Sequence, residues 1–397
     1  MISVAEARAA IVTALKAGGT EDIAVMDALG RVLAGEAKAR IDHPAADVTA
    51  MDGYAVCAAD AVRGATLKVI ATSAAGHPWS GTLGAGQAVR IFTGAHVPAG
   101  ADAIVIQEDT AAKGDAVTIN EAATKGRHIR PKGQDFRSGE TVQRGPRRLS
   151  FRDVGLLAAM NLPRVSVFTR PKIGVLSTGD EVVMPGDEIK PGQLASANGP
   201  GLCAFIASKG AAPVHLGIAR DDATSLKTMA EAARDLDMLV TTGGVSVGDH
   251  DLIAKVLGDN GLVVNFHKIA MRPGKPLLFG ALKGTPFLGL PGNPVSAMVG
   301  AILFLGPALD KMTGLAGDAP AVTRARLAVG LKANDKREDY LRATLERDDA
   351  GRLIATPYPK QDSAMISTLA RADGLVIRPP HAPEAKAGDE VDVIVLD

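Results

Sequence analysis

Cysteine is scarce: the 397 residues include two, Cys57 and Cys203. Two thiols cannot build a disulfide framework or a four-thiolate zinc site. The apolar neighbours of each read as those of a buried structural cysteine. Aromatics are also thin, at 3%, which speaks against base-stacking platforms and the aromatic girdles of membrane barrels. Net charge is missing: 44 Lys+Arg against 44 Asp+Glu leaves 44 − 44 = 0. That argues against a broadly basic nucleic-acid surface or a polybasic membrane tail, but leaves room for a locally basic pocket. The longest apolar run, near Val295 to Leu305, reads as too short to span a bilayer and as closed by Gly306-Pro307. Glu6 and Arg8 fall where a secretory signal needs an apolar core. The expectation is a cytoplasmic protein with no nucleic-acid and no membrane partner.

What is present is an ordinary globular balance, 46% hydrophobic and 22% charged. The length suggests roughly two to four domains. Ser3 and Glu6 stand in capping-box spacing at the head of a first helix that Gly18-Gly19 would stop. From about 46 to 145, short β-prone runs alternate with Gly, Pro and Asp clusters and predict a small β-rich domain. Ser150 and Asp153 form a second capping box before a helix. From Pro171 the pattern is strand, loop, helix, repeated, with strands at Ile173–Ser177, Val214–Ile218, Met238–Val240, Leu262–Phe266 and Phe287–Leu290. Apolar strands alternating with amphipathic helices predict a mostly parallel sheet covered on both faces. After about 317, short evenly spaced strands predict a barrel or sandwich. The fold class is therefore multidomain α/β: a central three-layer α/β/α domain with a mostly parallel sheet, an N-terminal β-rich insertion domain and a C-terminal β-barrel.

Ligands of parallel sheets bind at the carboxyl ends of strands, and three loops there are rich in Gly and acids: 178–181, 243–251 and 291–294. Gly243-Gly244-Val245-Ser246-Val247-Gly248 reads either as a tight turn or as backbone donors for an anion. Asp249 and Asp251 suit helix capping or Mg²⁺ on a phosphate. Arg272-Pro273-Gly274-Lys275-Pro276 holds two cations around a rigid turn, either a solvated loop or a small-oxyanion site that Arg342 could join. Asp180 and Glu181 suit a cap, a metal or a general base. Asp52 sits in what spacing alone makes a plain Gly-containing turn. No histidine falls in metal-ligand spacing, and no nucleophile motif occurs.

The residues themselves say more than their spacing. Asp47-Val48-Thr49-Ala50-Met51-Asp52-Gly53-Tyr54-Ala55-Val56 resembles the D-x-S-A-M-D-G-Y-A-V signature of the molybdopterin molybdenumtransferases, the MoeA family shared with the E domain of gephyrin. Phe92-Thr93-Gly94-Ala95 with Val97-Pro98, Ser177 to Glu181, Gly243 to Gly248, Pro273 to Pro276 and Leu290 to Ser296 follow in family order. Three departures are visible. Ala195-Ser196-Ala197-Asn198 stands where Y-D-[ST]-N is usual, Arg272 begins the usual K-P-G-K, and Asp362-Ser363 replaces G-S.

The resemblance implies an elongated segment (1–45 with 146–169), a β-rich insertion (46–145), a molybdenum-cofactor-biosynthesis α/β domain (170–316) and a barrel (317–397). It implies a homodimer whose active cleft lies between the α/β domain of one subunit and the N-terminal β-rich domain of the other. The reaction it implies inserts molybdenum from molybdate into adenylylated molybdopterin with Mg²⁺ and releases AMP. It implies catalytic roles for Asp52, Thr93, Asp135 and Glu181, and metal binding by Asp180, Glu181 and Asp251. Adenylylated molybdopterin would meet Thr178, Gly179, Gly243, Gly244, Ser246, Gly248, Pro291, Gly292, Asn293 and Ser296. Molybdate would meet Arg272, Lys275, Pro276, Arg342 and Ser367. Transient partners would be molybdopterin adenylyltransferase and downstream molybdoenzyme maturation proteins. The alternatives are a non-catalytic molybdopterin-binding scaffold and a molybdopterin adenylyltransferase.

Overall fold

The computed structural model describes residues 1–220, 225, 235–244, 257–259 and 261–396. The expected site residues Ser246, Gly248 and Asp251, with Asp249, lie outside the described residues. The chain divides into two compact units. One comprises Met1–Glu21, Gly30–Val32 and Phe168–Asp397, and the other Asp22–Leu29 and Leu33–Val167.

The first unit is built on a six-stranded sheet in the order Ala212–Ala219, Lys172–Thr178, Met238–Thr242, Thr285–Leu290, Leu278–Leu282, Leu262–Phe266. The first four strands run parallel. The last two are added antiparallel. The strand Leu278–Leu282 was not expected. It returns through the two-residue loop Lys283-Gly284, both residues at positive φ (49° and 92°), as a twisted hairpin requires.

Side chains alternate between the faces of the sheet, as a period of two demands. Ile173, Val175, Met238, Val240, Leu288 and Leu290 join one core cluster, which includes Leu202 and Ile206 of the helix Asn198–Ser208. Leu176, Leu239 and Phe287 join a second cluster that includes Leu257. The expected helix stop at Gly306-Pro307 does not occur. An α-helix over Pro294–Gly300 passes through a π turn over Ala301–Leu305 into a further helix over Gly306–Met312. Gly306 donates its N–H to the Ala301 carbonyl, five residues back. Pro307 then sits in the first turn of the next segment, where its missing N–H is not needed. These 19 residues are long and apolar enough to cross a membrane, but 78% of the apolar window is buried within the protein, as for a core helix.

Five strands close into a barrel at the end of the same unit. Glu338–Arg347 pairs with Leu353–Pro357, which pairs with Val322–Leu327. Glu390–Val395 and Gly374–Arg378 follow, and the latter pairs back onto Glu338–Arg347. Small and β-branched residues, Ala325, Ala343, Ala355, Val376 and Val393, fill its centre. The short strand Met271–Arg272 runs parallel to Glu338-Asp339 at the barrel's margin.

The second unit carries a six-stranded sheet ordered Ala103–Ile106, Gly53–Val56, Gln87–Ile91, Thr66–Ser73, Ala116–Ile119, Thr110–Lys113. Gly53 opens a strand rather than completing a turn. A Cβ there would lie 2.0 Å from the Val105 carbonyl oxygen, so this edge of the sheet closes only around glycine. The helix Phe151–Ala159 has the expected capping box. Neither cysteine is fully buried. Both are intermediate, and Cys203 packs against the first core cluster, where burial pushes its thiol pKa up.

Candidate active site

The carboxyl ends of the three central strands of the first unit converge on a cleft of about 630 Å³. Glycine makes the convergence possible. Gly243 has φ +93°, and a Cβ on it would lie 2.5 Å from the Thr178 carbonyl oxygen. The Cβ position of Gly292 lies 3.5 Å from Gly243 Cα. The strand-end segments of Thr178 and Gly243 therefore pack backbone on backbone, as a close ligand cradle requires, with Gly292 in ordinary contact beside them.

A directional hydrogen-bond chain stiffens the wall. Asn198 Nδ2 donates to Thr242 Oγ1 and to the Gly292 carbonyl, both at 2.7 Å. Thr242 Oγ1 donates in turn to the Pro291 carbonyl at 3.0 Å. Carbonyls only accept, so the amide orientation is fixed. Ser177 Oγ, Thr178 Oγ1 and Asn198 Oδ1 are buried with no partner, and all three residues line the cleft. Most buried polar atoms in proteins are satisfied, so three orphans at one cleft offer a ligand unused hydrogen-bonding capacity.

Glu181 lines the same cleft. Its Oε2 lies 2.6 Å from where a Gly179 Cβ would stand, so glycine is needed at 179 for the carboxylate to fold back. No helix follows: Val182-Val183 pairs with Leu194-Ala195, which removes the helix-cap reading of Asp180 and Glu181. Pro276, Pro291, Gly292 and Asn293 also line the cleft, with Ala364 and Ile366 from the barrel end of the chain. Ser296 is buried in the first turn of the core helix.

In the second unit Asp52 and Thr93 are brought together. Asp52 Oδ1 accepts both the Thr93 backbone N–H and its hydroxyl at 2.7 Å. These two bonds, with the charge of Arg90, hold the carboxyl below the usual aspartate range. Arg90 donates to the Gly53 carbonyl and to Gln107 Oε1, and lies over the Tyr54 and Phe92 rings. Asp135 is exposed, and its backbone N–H donates to the His43 carbonyl.

Models of the MoeA N-terminal region (domain I and II), a probable molybdopterin binding domain and the MoeA C-terminal region (domain IV) match residues 2–161, 174–311 and 324–396. The molybdopterin molybdenumtransferase of Nostoc sp. is 34% identical over 387 residues, covering 95% of this chain and 89% of the relative. The molybdopterin molybdenumtransferase 2 of Mycobacterium tuberculosis is 36% identical over 407 residues, covering 99% of each. A crystal structure of the molybdopterin biosynthesis MoeA protein from Pyrococcus horikoshii is 34% identical, with a TM-score of 0.83 over 100% of this chain and 99% of that one. The chain belongs to the molybdopterin molybdenumtransferase family.

Against the family motifs, the cations expected to meet molybdate are in three different states. Lys275 is exposed, and its ammonium has no ion-pair partner among the described residues. Arg272 is ion-paired to Asp339 and lies 3.6 Å from Asp335. Arg342 is not an open cation: it is 1% exposed. It donates to the carbonyls of Asp362 (2.9 Å) and Met365 (3.3 Å) and to Gln361 Oε1 (3.1 Å). Burial lowers its pKa, because the charged form loses solvation. Ser367 is exposed, with its carbonyl accepting from Arg371 Nε. At the family's G-S position, Asp362-Ser363, the Asp362 carboxylate accepts the Ala364 N–H and caps its own turn. Thr242, Asn334, Asp339 and Gln361 were not singled out from the sequence. The only available signal was Thr242 preceding Gly243 at a strand end.

Proposed function

We propose that this chain inserts molybdenum from molybdate into adenylylated molybdopterin, releasing AMP and molybdenum cofactor. The observation that carries this is the cleft at the ends of the central strands. Buried, unpartnered Ser177 and Thr178 hydroxyls, Glu181 and Pro276, which follows Lys275 in the chain, line one ligand-sized space. The orphan hydroxyls and the Gly243 and Gly292 backbone suit the oxygen-rich phosphoanhydride and pterin. Lys275 suits a tetrahedral dianion such as molybdate.

The donor set fits Mg²⁺. Glu181 offers a cleft-facing carboxylate with no hydrogen-bond partner among the described residues, and Asp180 adjoins it. Magnesium is content with one or two carboxylates plus substrate oxygens. When bound, it would neutralise charge on the substrate's phosphate oxygens. Asp251, outside the described residues, would be its third protein ligand. Asp52, held ionised by Thr93 and Arg90, would serve with Asp135 as a carboxylate of the reaction, the working species being a homodimer in the cytoplasm.

The test is to incubate the protein with adenylylated molybdopterin, molybdate and Mg²⁺, measuring AMP release and reconstitution of a molybdenum apoenzyme. AMP release that requires molybdate supports the proposal, and none above background refutes it. Net adenylylation of molybdopterin from ATP would point to the adenylyltransferase instead. Tight molybdopterin binding without turnover would point to a scaffold.

A further inference from the structure

We propose that Arg272 is a positioning residue and not an anion ligand: Asp339, Asp335 and Asn334 form a clasp by which the barrel margin holds the turn that presents Lys275. This rests on the reading of the Arg272–Pro276 turn as the molybdate site. Strand pairing sets Arg272 directly beside Asp339. The guanidinium Nη2 donates to the Asp339 carboxylate and, at 3.2 Å, to Asn334 Oδ1. Nη1 lies 3.6 Å from Asp335 Oδ2.

Each partner is itself immobilised. Asn334 Nδ2 donates to the carbonyls of Arg337, Arg378 and Pro379 at 2.7–3.0 Å, so Oδ1 must be the end that faces Arg272. Asp335 accepts from Arg337 Nη2 at 2.7 Å. The Asp339 side chain is 6% exposed and its Oδ1 has no partner. A carboxylate taken this far out of water demands a cation, and removing that cation is costly.

Two consequences follow. An oxyanion approaching Arg272 must compete with fixed carboxylates, whereas Lys275, three residues on, has no such competitor. The clasp also needs a fork. A guanidinium bonds Asp339 and Asn334 through one nitrogen and faces Asp335 with the other, while an ammonium is a single point charge. That accounts for Arg at a position where the family motif usually has Lys. The turn between the two residues is stiff. Pro273 fixes its own φ, Gly274 sits at φ +106°, and the Lys275 carbonyl accepts the Ile269 N–H at 3.0 Å. Where the clasp holds Arg272 therefore sets where Lys275 stands.

The test is equilibrium dialysis of molybdate alone against the full-length protein, comparing wild type with Asp339→Asn and Arg272→Lys. If Arg272 were a ligand restrained by its acids, Asp339→Asn would free it, and with one negative charge fewer nearby molybdate would bind more tightly. The clasp predicts the opposite sign: weaker binding by about threefold to tenfold in Asp339→Asn, and similarly in Arg272→Lys despite the retained charge. Tighter binding by Asp339→Asn, or wild-type binding by Arg272→Lys, would overturn the proposal. If the wild type bound no molybdate, the functional reading would fail on its own. The clasp would then be judged by a double-mutant cycle of thermal midpoints for Arg272→Lys and Asp339→Asn. Non-additive shifts support it and additive shifts refute it.

Discussion

Two neighbouring glycines of the cleft should respond oppositely to alanine. Gly243 is at φ +93°, and a Cβ there meets the Thr178 carbonyl oxygen at 2.5 Å and its Oγ1 at 2.8 Å. The backbone conformation costs an L-residue about 1–2 kcal/mol. Relieving the overlap with a backbone atom costs about 1–3 kcal/mol more. The reduced freedom of the unfolded chain returns about 0.4–1 kcal/mol. Gly243→Ala should therefore lose about 1–4.5 kcal/mol, which lowers the thermal midpoint of a unit of this size by roughly 2–18 °C. At Gly292 the Cβ meets only Gly243 Cα at 3.5 Å, an ordinary contact, and its φ lies outside the left-handed region. Gly292→Ala should melt within about 2 °C of wild type, because surface substitutions without a special contact usually change stability by only a few tenths of a kcal/mol. Differential scanning calorimetry of both variants decides the matter. An unshifted Gly243→Ala, or equal losses in the pair, would refute the idea that strand-end packing at Thr178 makes 243 a glycine position.

Three further outcomes follow from the geometry. Thr93→Ala removes one of the two Thr93 bonds to Asp52. The Asp52 carboxyl, now depressed, should move back up towards its ordinary value. Because the ionised carboxylate is the form proposed to act, and raising its pKa protonates it earlier as pH falls, the acid limb of the AMP-release rate should begin at higher pH in the variant; an unmoved limb would separate Asp52 from the rate. Arg342→Met removes one of two donors from the carbonyls of Asp362 and Met365, which keep the Met365 and Thr368 N–H groups; the loss should be about 1–2 kcal/mol and should increase proteolytic cutting near 358–365, an effect absent if that segment is held by other contacts. Ser150→Ala removes the capping hydroxyl that accepts the Asp153 N–H, with an expected loss of about 1 kcal/mol in urea denaturation.

Local signals survived translation into structure because their partners are near in sequence. The boxes Ser3/Glu6 and Ser150/Asp153 are complete within four residues. The strand and helix alternation after Pro171 follows from burial on both faces of the sheet. What failed depended on tertiary context. Lys283-Gly284 makes a hairpin without the usual Asn-Gly or Asp-Gly cue, so Leu278–Leu282 went unseen. Gly306-Pro307 looks like a stop, but the buried π turn before it carries the helix through. Asp52 and Thr93 are 41 residues apart, and only the pairing of Gly53 with Ile91 brings them together. Family resemblance named that pair, and spacing could not. Arg342 reads as an ordinary strand charge, yet it lies on the strand two residues from the buried Tyr340, so the period-two pleat turns both the same way.

The balanced charge of the sequence has a structural counterpart at the Arg272–Pro276 turn. Three cations were expected to converge on molybdate. One of them, Arg342, spends its donors on a loop that helps line the cleft, and another, Arg272, is paired with acids. Only Arg272 is balanced by acids; the partners of Arg342 are neutral carbonyls and an amide, so its donors are used while its charge is kept. On the proposed reading, selectivity would depend on how well the Lys275 ammonium is aimed, because a fixed donor need not give up side-chain freedom on binding. A site of this kind should be less sensitive to added salt than a cluster of exposed free cations, since Arg272 is already paired and Arg342 is buried away from solvent ions. A steep fall in molybdate affinity between low and physiological ionic strength would indicate instead that Arg272 and Arg342 leave their partners when the anion binds.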